Sequence, residues 1–182
     1  MVATAVLGPP HRLYRLVMGP ETKDGFPRGV DSPDYKAAFP SEPQLSSPSG
    51  VVACWFTDPP GMIIQITQRT QGTLEGAQWI GGPAIDAMLR RFSKREWLTL
   101  VLDLRLMTGR EPAARHSLVA PAKSLKSRLA RIVVVAPERA SSIYLSSLLA
   151  ATTLLSVFGY RVDLKRSLEV VVKKHRIRVA AP

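Results

Sequence analysis

The chain has 182 residues, of which 46% are hydrophobic and 21% charged, an ordinary balance for a globular protein with one well-buried core. Its formal charge of +11 is not ordinary, and it is unevenly placed: residues 1–50 carry five Lys/Arg against five Asp/Glu, residues 51–182 carry twenty against nine. The single cysteine, Cys54, rules out an internal disulfide and points to the reducing cytosol.

Residues 1–50 hold eight of the fifteen prolines, in clusters such as G-P-P at 8–10, F-P-S-E-P at 39–43 and S-S-P-S-G at 46–50. This composition reads as an extended arm or linker without a packed helix or strand, in which His11–Met18 is an amphipathic piece able to dock. The N-terminus lacks the basic-then-apolar order of a secretory signal. The apolar run 143–158 is shorter than the roughly 20 residues of a membrane span and is broken by serines and threonines, so a soluble cytoplasmic protein with no transmembrane segment is expected.

The folded domain is expected over 51–182. Val51–Thr57 and Met62–Arg69 are β-type runs joined by D-P-P-G at 58–61, which reads as an antiparallel hairpin. Thr73–Phe92 has helical spacing with Thr73 as a cap, interrupted at Gly81-Gly82-Pro83, so a short turn and then a helix from Pro83 are expected. Gly-Gly-Pro lacks the Lys-Ser/Thr ending of a phosphate loop.

The stretch W-L-T-L-V-L-D-L-R-L-M-T-G-R-E at 97–111 is the expected centre of the fold. Leu98, Leu100, Leu102 and Leu104 alternate with Thr99, Val101 and Asp103, giving two mostly apolar faces, as in a strand covered on both sides. A polar loop follows, and Arg110 or Glu111 is expected to cap a helix that starts at Pro112. Arg131–Ala136 reads as another buried strand, Ser141–Phe158 as a helix apolar on nearly all sides, Gly159 as its end, Tyr160–Leu164 as a short strand and Leu164–His175 as a last helix. The order is β-β-α-β-α-β-α-β-α, an α/β domain with a mixed sheet and covering helices.

Catalytic patterns are missing. His11, His116 and His175 fall in three different elements, there is no CxxC, HExxH or G-x-S-x-G, and neighbouring His116 and Ser117 point about 100° apart on a helix. Cys54, between Ala53 and Trp55, reads as a small core residue. Metal, cofactor and enzymatic roles are therefore not expected. The polar groups that remain gather after the central strand: Asp103, Arg105, Thr108, Gly109, Arg110, Glu111 and Arg115. They read as a salt-bridged, capped loop in which Asp103 and Glu111 balance the arginines, or as a contact surface with Thr108 at the turn into the next helix. Lys173, Lys174, Arg176 and Arg178, in the basic C-terminal segment, are candidate anion contacts; cations also suit a helix C-terminus, and this segment has no interleaved aromatics for stacking.

The segment L-V-L-D-L-R-L-M-T-G-R-E-P-A-A-R at 100–115, followed by R-I-V-V-V-A, an apolar helix and G-Y-R-V-D-L, resembles a STAS-type domain over about residues 51–175. It is similar to the anti-sigma-factor antagonists and to the STAS/SEC14-like class. The resemblance implies a non-enzymatic, regulatory or scaffold domain that binds a protein partner or a second copy. It also implies that Asp103 matches the family's strand-end Asp, and that Thr108 stands where a partner kinase phosphorylates a hydroxyl. Here G-R-E-P follows, in place of the family's Ser-Gly-Leu type of ending. Two other readings stand beside it: a basic nucleic-acid or anionic-surface binder, and a carrier of a small apolar ligand in a cleft.

Overall fold

The computed structural model describes residues 42–118, 121, 125–136 and 142–181. The arm expected over 1–50 falls outside this range up to residue 41. Among the described residues, seven strands form one mixed sheet and two more form a small ribbon. The fold is α/β, as the alternation of strand-type and helix-type runs implied.

The hairpin is β2 (Val52–Asp58) and β3 (Gly61–Ile66), paired antiparallel from Val52↔Ile66 to Thr57↔Gly61. From β3 onward the sheet is parallel: β3, then β5 (Leu98–Asp103), β7 (Leu129–Val135) and β8 (Val162–Lys165). The central position expected for 98–104 is occupied by β5, between β3 and β7, although the strand stops at Asp103.

Two short strands add to the expected order. β1 (Leu45–Ser46) and β9 (Arg178–Val179) share the outer side of β2, with Leu45 opposite Cys54 and Val179 opposite Thr57. The first of these lies in the stretch read as arm. It pairs because Ser47-Pro48-Ser49-Gly50 is a turn, with Gly50 at φ 70° and its N–H on the Ser47 carbonyl at 2.8 Å, which returns the chain to β2. The gap between β1 and β9 is filled by Gln44. Its side-chain oxygen accepts from Phe56 N–H at 2.6 Å, and its amide nitrogen donates to the Ala180 carbonyl at 2.8 Å.

The crossover from β3 to β5 also differs from expectation. α1 (Leu74–Trp79) begins at Thr73, whose hydroxyl accepts from Gly76 N–H at 3.1 Å. The helix then continues through a π-helical turn, Ile80–Ala84, into α2 (Ile85–Arg91). Gly81-Gly82-Pro83 widens the helix and does not break it. The Ile85 N–H reaches back to the Ile80 carbonyl, so the wider ring absorbs the residue that has no donor. A Cβ on Gly81 would lie 2.8 Å from Pro121 Cγ, so glycine there is what lets this turn approach the next helical segment.

The remaining crossovers are α3 (Pro112–Ser117), α4 (Ser142–Val157) and α5 (Leu168–His175). One sheet face buries Cys54, Met62, Ile64, Leu100, Ile132 and Val134 beneath Ile85, Met88 and Leu148. The other buries Trp55, Ile63, Val101 and Val133 beneath Leu168, Val171 and Ile177. The alternation in β5 thus feeds two separate cores. α4 carries no charged residue, yet one side faces solvent: Leu154, Val157 and the following Phe158 are exposed. Gly159, at φ 85°, ends it with the Tyr160 N–H on the Leu155 carbonyl at 3.1 Å.

Candidate functional site

At the C-terminal end of β5 the carboxylate of Asp103 is only 2% exposed. Arg105 grips it as a fork, Nε to Oδ1 at 2.8 Å and an Nη to Oδ2 at 2.9 Å. Gln65, its register partner on β3, donates to Oδ2 at 2.9 Å, and the Arg105 backbone N–H adds a 3.3 Å bond to Oδ1. Four donors therefore occupy the two oxygens. Such a carboxylate holds the strand end to the loop that follows it.

That loop is not irregular throughout. Met107–Arg110 is a strand, β6, parallel to β4 (Thr70–Gly72), and this ribbon lies outside the main sheet. Thr108 is therefore not at the turn into a helix, as expected from the sequence. It sits within β6, exposed, with its hydroxyl donating to the Thr70 carbonyl at 3.1 Å. The reason is that M-T-G-R meets T-Q-G alongside it, and strand pairing satisfies the backbone that a loop would leave to water. Gly109 and Arg110 belong to β6 too, opposite Gln71 and Gly72.

Glu111 differs from expectation in what it caps. α3 does begin at Pro112, but the Glu111 carboxylate turns to the other crossover and accepts from Leu74 N–H at 2.8 Å, capping α1 beside Thr73. Its own N–H donates to the Gly72 carbonyl at 2.8 Å. Glu111 thus ties the ribbon to α1, and the charge balance among Asp103, Glu111 and the arginines reduces, for these two acids, to one ion pair and one helix cap. Arg115 lies in α3, and its side chain falls outside the described residues.

The basic candidates occupy the opposite end of the sheet. Lys173 and Lys174 are exposed in the last turn of α5, Arg176 follows it in the left-handed region at φ 52°, and Arg178 is exposed on β9. Nearby, Arg131 on β7 donates from Nη1 to His175 Nδ1 at 2.9 Å and lies 3.6 Å from Asp163 of β8. Burial, joined by the charges of Arg131 and Lys174, holds His175 below the ordinary histidine range, against the pull of Asp163. Sequence reading missed Gln65, Arg131 and Asp163. Parallel register, which brings Gln65 beside Asp103 and aligns β7 with β8, is the signal that would have found them.

Cys54 is buried, and burial pushes its thiol up to about 12, so it stays protonated and packs as a core residue. Among the described residues no three His, Cys, Asp or Glu side chains are grouped to hold a metal, and no helix is long and apolar enough to cross a membrane. Comparison with protein-family models, with curated proteins and with solved structures found no match to this chain.

Proposed function

We propose that this chain is a non-enzymatic, STAS-like interaction domain that binds a protein partner through the β4–β6 ribbon. The observation that carries the reading is Thr108: an exposed hydroxyl on a short strand held at both ends. Asp103 and Arg105 anchor the ribbon to β5, and Glu111 anchors it to α1. The exposed side chain of Leu106 stands just before it. Fixed backbone beneath an exposed hydroxyl suits a recognition element, and a phosphoryl group added there would bring about −2 charge without disturbing the core. The engagement of Asp103 by four donors supports binding over proton-transfer chemistry at this strand end.

The test is affinity capture with the full chain and with Thr108→Asp and Thr108→Ala. A stoichiometric protein that the parent retains and the Asp variant loses, or binds more tightly, supports the reading. Equal retention by all three variants, or a monomeric chain that retains nothing, removes it.

A further inference from the structure

The basic C-terminal segment has no aromatics of its own, but the fold supplies them. Because β5, β7 and β8 are parallel, their first residues share one end of the sheet, and α5 returns the chain to that end before β9. Besides the β2–β3 hairpin turn, four connections meet there. The one before β5 carries Lys94, Arg95 and Trp97, all exposed, with Trp97 at 65%. The one before β7 carries exposed Lys126, and the one before β8 carries Phe158, 54% exposed, and exposed Arg161. The last carries Arg176, with Arg178 just beyond.

The connections before β7 and β8 adjoin each other. A Cβ on Gly159 would lie 3.9 Å from Lys126 Nζ, and the Ile132 N–H donates to the Arg161 carbonyl at 2.8 Å. β5 and β8 are two places apart in the sheet, about 10 Å, with Trp97 directly before β5 and Phe158 just after α4, before β8. Among the described residues, three carboxylates share this end with the cations, fewer than the six exposed Lys/Arg of the connections and β9. Glu96 accepts from Ser93 N–H at 2.5 Å, Asp163 faces Arg131, and Asp58 is opposite Arg178.

We propose that this end of the sheet binds single-stranded nucleic acid, with phosphates on the loop cations and bases stacked on Trp97 and Phe158. Each aromatic has an arginine within three residues, Arg95 before Trp97 and Arg161 after Phe158. That alternation matches a strand that offers both a base face and a phosphate. A duplex hides its base faces. A bilayer takes a continuous apolar patch with cations behind it, and here the aromatics stand in separate loops among cations. The surface lies at the opposite end of the strands from the Thr108 ribbon, so the two proposals stand or fall separately.

Fluorescence anisotropy of the full chain with labelled oligothymidylate about 20 nucleotides long is the test. Saturable binding that weakens steeply with salt and exceeds binding to a duplex of equal length is expected. Trp97→Ala should weaken it about fivefold or more. Arg176→Gly relieves the left-handed backbone, so it should weaken binding while Tm holds or rises. No oligonucleotide binding at low salt, equal binding by Trp97→Ala, or binding to phosphatidylserine vesicles with none to oligothymidylate would each overturn the proposal.

Discussion

A Cβ atom on Gly61 would sit 2.1 Å from the carbonyl oxygen of Thr99. The two residues are register partners where β3 and β5 begin, and the Thr99 N–H donates to the Pro60 carbonyl at 3.0 Å, pinning the hairpin turn to the central strand. Glycine is needed here for space. Gly61→Ala must push β5 away and should destabilise the domain by about 3 kcal/mol, read as a fall in the urea midpoint. An unchanged midpoint would show that the strands separate freely.

Asp103→Ala removes an acceptor that Arg105 and Gln65 share. Arg105 is partly exposed, so water recovers some of its solvation, and a loss of about 2 kcal/mol is expected by chemical denaturation. Asp103→Asn keeps one acceptor oxygen but turns an NH2 toward two donors, so it should cost a comparable amount. If both variants matched the parent in stability, the carboxylate would have to be retained for some other task.

Glu111→Ala takes one of two caps from α1 and should cost about 1 kcal/mol. Its distinctive mark is distance from the mutated site: hydrogen exchange at Leu74 should rise even though Thr73 is untouched. Exchange that rises only around α3 would refute the cross-cap.

His175 gives a pH signature. Its folded pKa lies below the ordinary 6.5, while the unfolded chain titrates near that value. As pH falls below about 6.5 the unfolded state takes up the proton first, so stability declines until the folded pKa is passed and then levels off. Above that range both states are neutral and the residue contributes nothing. An NMR titration of the ring should show a midpoint below 6.5 that rises in Arg131→Gln, which removes a facing cation while Lys174 and Lys165 still oppose the charge and Asp163 favours it.

Periodicity made the framework legible. Alternation in 98–103, the D-P-P-G turn and the caps at Thr73 and Gly159 all signal local geometry, and each stands where local rules place it. β1, β9 and the β4–β6 ribbon escape such reading because strands of two to four residues have no period to detect; pairing partners distant in sequence create them. The site residues were recognisable by type but not by task. Nothing in R-E-P says that Glu111 turns to Leu74, and nothing in K-R-E-W says that Trp97 shares an end of the sheet with Arg161.

α5 crosses the face opposite the other helices, leaving β8 at one margin of the sheet and delivering β9 to the other. A connection of that kind acts as a girth. Outer strands ordinarily fray independently of one another, but loosening β8 here slackens the helix that seats β9, and releasing β9 frees the Gln44 amide from Ala180. The two margins are therefore expected to open as one cooperative unit, with amide protection in β8 (Val162–Lys165) and at Ala180, beside β9, rising and falling together.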